Sequence, residues 1–208
     1  MGLRKANEGG VLRRVEAREY PRDAEGLALQ LQDPDPAVRR WAVRDLTHAP
    51  AMATVLCQHL LKETDHAVRE SIFTTLRHRE SDEVATGLIP LLRSEDPGLR
   101  NAAIEVLSGM PKVMGPHIER LLTDPDVDVR IFTLNVLNEL RHPDVARWVN
   151  GVLEHDAHVN VVAAALEVLA ESGTAEALPA IAKARQRFAH DAFIGFAADV
   201  AQQRIEMP

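Results

Sequence analysis

The sequence predicts an all-α, right-handed solenoid, and two observations support this fold class. A short phrase of the form Asp-Pro-Ala-Val-Arg recurs five times, and its apolar anchor residues are separated by 30, 31, 30 and 32 positions. A near-constant period of this length is typical of stacked repeats that bury their apolar faces against one another. Between the phrases, apolar residues recur at helical spacing. The anchors are Val38, Val68, Leu99, Val129 and Val161.

Residues 84–110 show the predicted unit most clearly, as two short amphipathic helices joined by a loop. Leu88, Leu91 and Leu92 fall on one side of the first helix. Asp96 stands where the second helix begins, where a carboxylate accepts hydrogen bonds from the unpaired N–H groups of the first turn. We therefore expect the aspartates of the phrase to cap helices rather than to act as catalytic carboxylates.

Turn residues divide the chain into about six such helical hairpins after a basic N-terminal segment. Residues 1–22 carry six basic and three acidic side chains. This segment is predicted to form either a disordered arm or a capping helix over residues 11–20. Residues 23–208 are predicted to form a single repeat domain. The expected units are residues 23–48, 51–78, 82–110, 115–141, 144–172 and 175–205, with the repeat pattern fading in the last.

The arginine that follows each of the first four anchors would come into register when the units stack. Four neighbouring cations repel one another unless acidic groups lie between them, and the capping aspartates are close enough in sequence to do so. We therefore expect a structural ladder, with an anion-binding strip as the alternative that the net acidity disfavours. The predicted ladder consists of Asp35, Arg39, Asp65, Arg69, Asp96, Arg100, Asp126 and Arg130.

One stretch carries a resemblance to a known family. Leu88-Ile89-Pro90-Leu91-Leu92, followed by Asp96-Pro97-Gly98-Leu99-Arg100-Asn101-Ala102-Ala103, resembles the consensus of HEAT repeats, and most closely the HEAT-like type named from phycobilin lyases. The likeness covers about residues 23–208, and Pro90 is similar to the kinking proline of that type. It implies stacked helical hairpins whose second helices line a concave surface, but it does not imply one function, because the family hosts many.

The second helices also carry the predicted partner-binding face. Positions two, six and nine after each anchor share one side of the helix and avoid the apolar positions. This side is basic near the N-terminus and becomes amide-rich, then mildly acidic. Ile131 is either an apolar anchor for a partner or a filler between units, and Trp41 and Trp148 are expected to pack in the core. The candidate residues are Arg40, Arg44, Glu70, Arg77, Asn101, Glu105, Ile131 and Asn135.

Composition excludes several classes of function. With 24 basic and 31 acidic side chains the net charge is -7, which disfavours general affinity for nucleic acid or anionic membrane. The single cysteine, Cys57, cannot form an internal disulfide, and the histidines show no zinc-site spacing. The densest histidine group, His155, Asp156 and His158, lies at a predicted helix start. No apolar run approaches the roughly 20 residues that span a bilayer.

The sequence thus predicts a cytoplasmic, non-enzymatic scaffold or regulatory adaptor. Its expected partner is another protein held on the concave surface, with no metal and no cofactor. The alternative is a phycobilin-lyase-like subunit that attaches or chaperones a pigment, since such proteins share the resemblance and need no obvious catalytic motif. The identity of the partner and the oligomeric state are not predicted.

Overall fold

The computed structural model describes residues 19–47 and 53–207, and within these ranges the chain forms twelve α-helices. Consecutive helices pair as hairpins, and the hairpins stack in chain order. The second helices of the hairpins pack on one another in one layer, and the first helices pack in another. This arrangement confirms the predicted all-α solenoid. The N-terminal arm or capping helix predicted for residues 1–22 lies almost wholly outside the described residues, as does the turn at 48–50.

The helices of each hairpin follow in order. The first helices are α1 (Ala24–Gln30), α3 (Ala53–Leu60), α5 (Asp82–Leu88), α7 (Pro111–Leu122), α9 (Val145–His155) and α11 (Leu178–Arg187). The second helices are α2 (Pro36–Leu46), α4 (His66–Arg77), α6 (Pro97–Ser108), α8 (Val127–Glu139), α10 (Val159–Ser172) and α12 (Ala192–Glu206). Short 3-10 turns occupy Ile89–Arg93 and Ala175–Ala177.

Capping aspartates start the second helices, as the sequence predicts. The carboxylates of Asp35, Asp65, Asp96 and Asp126 each accept a hydrogen bond from a backbone N–H two or three residues later. Such caps typically stabilise a helix by about 1 kcal/mol each. Asp191 does the same for α12. The sixth unit therefore carries the phrase too, and the sequence analysis missed it because this copy has neither the proline nor the arginine.

Two first helices differ from the prediction because of their prolines. The apolar stretch of the third unit was expected to form one helix, but α5 ends at Leu88 and the chain continues as a 3-10 turn. Pro90 lies in that turn, and a proline both lacks the N–H for the helical bond and clashes with the preceding turn. In the fourth unit α7 begins at Pro111 rather than at 115, because the first turn of a helix accommodates proline.

The core is a continuous layer of leucine, valine and alanine between the two layers of helices. Leu46, Leu76 and Leu107 occupy the same position in three successive units, and each is fully buried. Trp148 is buried as expected, but Trp41 is 59% exposed, so the expectation of core packing was wrong for this residue. Within the described ranges no second helix precedes α2, and the side of the helix that carries Trp41 is therefore left uncovered.

Candidate partner-binding surface

The arginine after each anchor ties the loop of its own unit to the second helix. Arg39, Arg69, Arg100 and Arg130 each donate a hydrogen bond to the backbone carbonyl six residues earlier, at 2.7–2.8 Å. Each of these carbonyls lies in the loop between the two helices of the unit. The four arginines thus share a local structural role that the ladder prediction did not include.

The links between units differ from the predicted ladder. Arg69 does reach the capping Asp96 of the next unit, with Nη1 2.7 Å from Oδ2. Two other arginines instead form an ion pair with the acidic residue that lies two positions before the N-cap residue of the next unit's second helix. This acid also accepts the N–H of the capping residue, so it is held in place for the arginine. The two pairs are Arg39 with Glu63 and Arg130 with Asp156.

Arg100 breaks the predicted ladder. Its guanidinium lies 4.5 Å from the centre of the Phe132 ring in the next unit, and no ion pair forms at Arg100 within the described ranges. The acid at the equivalent position, Asp124, is bonded by Arg93, which also reaches Asp126 at 3.0 Å. The prediction of an unbroken alternation of aspartate and arginine is therefore wrong at this unit. Arg93, in the 3-10 turn that precedes α6, bonds both Asp124 and Asp126 in place of Arg100.

The pair between the first two units is a buried network. Glu63 is 3% exposed and accepts two hydrogen bonds from Arg39, both at 2.7 Å. Its carboxylate also lies 2.8 Å from His59 Nε2 and accepts the N–H groups of Thr64 and Asp65. Burial by itself would raise the pKa of Glu63, but the hydrogen bonds from Arg39, Asp65 and His59 outweigh it and hold the pKa at about 2. Both carboxylate oxygens of Glu63 are therefore occupied by structural hydrogen bonds.

The candidate partner-binding residues lie on the second helices, and their outward side is named here the second-helix surface. Near the N-terminus Arg44 is exposed and its guanidinium lies 5.2 Å from the centre of the Trp41 ring, whereas Arg40 is half-buried. Arg77 and Glu105 bond to each other across the second and third units at 2.8 Å. Charge at this boundary is therefore neutralised within the protein.

The middle of the second-helix surface contains a polar cleft across α6, α8 and α10. Its volume is about 320 Å³, and asparagine and glutamate side chains form most of its lining. Within the described ranges, the amides of Asn101, Asn135 and Asn138 have no hydrogen-bond partner. Glu70 is exposed on α4, outside the cleft, and Ile131 is half-buried, with part of its side chain packed against the core.

Sequence reasoning missed the aromatic residues at the far end of this surface. Phe196 stands two positions after Ile194, the anchor of the sixth unit, and is 66% exposed. Phe193, one turn earlier, is 61% exposed. With Trp41 on α2, the second-helix surface thus carries exposed aromatic rings on its first and last helices. The sequence feature that could have revealed these aromatic residues is the capping Asp191, which places α12 in register with the other second helices.

The side chains considered for metal binding and for nucleophilic chemistry lie at the end of α9 and on α3. No group of three histidine, cysteine or acidic side chains there could hold a metal ion. In the histidine group at the end of α9, His155 Nδ1 lies 2.9 Å from the carbonyl oxygen of Gly151. Burial raises the pKa of the Cys57 thiol to about 11, so it is a poor nucleophile. None of the described helices is long and apolar enough to cross a membrane.

Stacked hairpins with an outward second-helix surface define the class of α-solenoid repeat proteins. The sequence matches the profile of the family described as HEAT repeats over residues 24–108 and 116–191. The chain therefore belongs to the HEAT-repeat family. No curated protein matches the sequence significantly.

Three solved structures to which this chain is similar are the following. One engineered protein from the Northeast Structural Genomics Consortium is 21% identical, with 88% of this chain and 96% of that chain covered and a TM-score of 0.41. A second is 20% identical, with coverages of 88% and 98% and a TM-score of 0.43. A designed armadillo repeat protein in complex with the peptide (KR)4 is 16% identical, with coverages of 86% and 98% and a TM-score of 0.42.

Proposed function

We propose that this chain is a protein-binding scaffold or adaptor that holds an extended segment of a partner along the second-helix surface. The observation that carries the proposal is the set of three asparagine amides in the cleft, Asn101, Asn135 and Asn138, which have no partner among the described residues. An asparagine side chain can both donate and accept a hydrogen bond. It therefore matches the N–H and C=O groups that an extended peptide presents at every residue. Membership of the HEAT-repeat family supports the same role, because repeat solenoids use extended surfaces of this kind for binding.

The charges along the second-helix surface favour one direction of the partner. Arg40 and Arg44 lie at the N-terminal end beside Trp41, whereas Glu139 and Glu167 line the cleft towards the C-terminal end. A segment with acidic residues over α2 and basic residues over α8 and α10 would be attracted at both ends. A segment of the opposite polarity would be repelled at both.

The size of the surface fixes the length of a suitable segment. Packed helices lie about 8–10 Å apart, so the six second helices span roughly 45 Å. An extended chain covers this distance with about 14 residues, at roughly 3.3 Å per residue. A partner segment of this length would reach from the Trp41 end to the Phe196 end.

Capture of the partner from a lysate of the source organism tests the proposal. The wild-type protein and the double variant Arg40→Glu/Arg44→Glu are tagged, and proteins that co-purify in stoichiometric amount are identified. Lys112→Glu/Arg120→Glu is the matched control, since it makes the same charge change at two exposed positions of α7. We expect a protein that is lost with the α2 variant and kept with the α7 variant.

A second variant tests the asparagines. Asn135→Ala/Asn138→Ala should weaken capture of the same protein, because it removes two amides without changing charge. Equal capture by the wild type and by both second-helix variants would contradict the proposal and place the binding site elsewhere.

The finer features of this function remain predictions. These are the absence of enzymatic activity, the cytoplasmic location and the refinement to the phycobilin-lyase type of HEAT-like repeat. Mixing the protein with a free bilin and recording the visible absorbance of the protein fraction after gel filtration tests the pigment alternative. Pigment absorbance that co-elutes with the protein would favour that alternative over the adaptor.

A further inference from the structure

A second cleft opens on the other layer of the solenoid, between α7 and α9. Its volume is about 520 Å³, within the roughly 300–1,000 Å³ of typical ligand sites. Leu122, Trp148 and Val152 form an apolar floor and are 8%, 5% and 6% exposed. These residues belong to the core, and the cleft exposes a small part of each to the outside. It shares no lining residue with the second-helix surface.

Gly151 keeps this floor open. It lies in the interior of α9 and lines the cleft, although glycine weakens a helix interior relative to alanine. A Cβ atom built at this position would meet no heavy atom within 4 Å. No packing contact therefore requires glycine here, and a larger side chain would project into the cleft. Gly87 differs, since a Cβ there would lie 2.6 Å from the Cβ of Cys57.

The rim of the cleft carries an arginine bonded to two carboxylates, with bonding capacity left over. Arg147 Nη2 lies 2.9 Å from Glu119 Oε1 and 3.2 Å from Asp144 Oδ2. The indole N–H of Trp148 also approaches Glu119 Oε1, at 3.3 Å. The side chains of Glu119 and Arg147 are 64% and 61% exposed. Within the described ranges, Glu119 Oε2 has no hydrogen-bond partner and neither do Nε and Nη1 of Arg147. The rim thus offers one acceptor and several donors side by side, with one carboxylate more than the single guanidinium neutralises.

These features favour a peptide rather than an anionic small molecule as the occupant. A peptide group presents one N–H donor and one C=O acceptor, which the free carboxylate oxygen and the free guanidinium N–H groups complement. The excess of one carboxylate over the guanidinium disfavours an anionic ligand. The apolar floor beneath the rim would accept the side chain attached to that peptide group.

We propose that the cleft between α7 and α9 is a docking site for one large apolar side chain, of the leucine or phenylalanine class, from a short segment of a partner protein. Glu119 and Arg147 bond the peptide group next to that side chain. The site is independent of the second-helix surface. A chain with both sites holds two segments at once, which gives an adaptor its two contacts.

A peptide display experiment tests this site directly. A library of random 12-residue peptides is panned against the immobilised full-length protein. Enriched peptides are synthesised with a fluorescent label, and their Kd values are measured by anisotropy. The blocking variant is Gly151→Leu. The matched control is Gly195→Leu on α12, where a Cβ would likewise meet no heavy atom within 4 Å but which lies outside the cleft. Thermal melting establishes that both variants fold.

We expect at least one class of enriched peptide with a single large apolar residue and a Kd raised tenfold or more by Gly151→Leu. The control should leave the Kd unchanged, and replacing the apolar residue of the peptide with alanine should weaken binding to the same degree as the blocking variant. Should Gly151→Leu fail to fold, Arg147→Ala at the exposed rim provides the second readout, with a loss of threefold or more.

Two results would overturn the proposal. One is that no enriched peptide depends on either residue 151 or residue 147. The other is that every enriched peptide is lost with Arg40→Glu/Arg44→Glu instead, which would assign all peptide binding to the second-helix surface. Because the two sets of variants lie on different helices, failure of this inference and failure of the proposed function are distinguishable.

Discussion

Replacing Glu63 with glutamine should destabilise the protein through the loss of one buried negative charge. The pKa of Glu63 is lowered from 4.5 to about 2 in the folded state. A difference of this size corresponds to about 3 kcal/mol at neutral pH, since each pH unit of a pKa difference is worth about 1.4 kcal/mol. Breaking a buried ion pair while one partner remains typically costs about 3–5 kcal/mol. We therefore expect Glu63→Gln to lower the free energy of unfolding at pH 7 by about 3 kcal/mol.

The pH dependence gives a more specific test of the same reasoning. Because the pKa of Glu63 is lower in the folded than in the unfolded state, its stabilisation is complete above about pH 4.5 and is lost as the pH falls towards 2. The difference in stability between the wild type and Glu63→Gln should shrink over that window. Urea unfolding followed by circular dichroism at pH 7, 4.5 and 3 measures it.

The control for this experiment is Glu95→Gln, which removes the same charge at an exposed loop position. It should change the unfolding free energy by only a few tenths of a kcal/mol. A loss of less than about 1 kcal/mol for Glu63→Gln at pH 7, or a loss that is independent of pH, would refute the view that this network stabilises the first two units.

Four further substitutions test a cap, the core and the two glycines that have open space around them. Asp96→Ala should cost about 1 kcal/mol through the lost cap of α6, and an unchanged melting curve would contradict that role. Leu107→Ala should cost about 2–5 kcal/mol because it empties a fully buried position; a loss in urea unfolding of under half a kcal/mol would place Leu107 outside the core. Gly151→Ala and Gly195→Ala should each stabilise the protein by up to about 1 kcal/mol. A melting temperature below that of the wild type for either variant would show that glycine is required there for steric reasons.

Local patterns were sufficient to predict much of this fold. The capping role of Asp96 depends on N–H groups two and three residues away, and the period of the anchors reflects stacking that every unit repeats. The sixth hairpin was predicted, but its copy of the phrase was missed because Phe193 and Ile194 follow Asp191 without the proline or the arginine. Its capping geometry is nevertheless the same.

The contacts between units were harder to predict. An acid two residues before the cap, as in Glu63-Thr64-Asp65, is visible in the sequence, and it could have been recognised as the partner of the preceding arginine. The sequence does not show that Arg93 rather than Arg100 bonds Asp124. That outcome depends on a competition between two arginines for acids in the next unit, about 30 residues along the chain from Arg93. The cleft at Gly151 likewise depends on the spacing of α7 and α9, which no local pattern encodes.

The links between units also determine how this array responds to salt. The Arg39–Glu63 and Arg130–Asp156 pairs are buried, with side chains between 2% and 14% exposed. The Arg69–Asp96 and Arg93–Asp126 pairs are open to solvent, with side chains between 23% and 48% exposed. Added salt screens exposed charges far more than buried ones. We therefore expect added salt to weaken the two links in the middle of the solenoid more than the Arg39–Glu63 and Arg130–Asp156 links on either side of them.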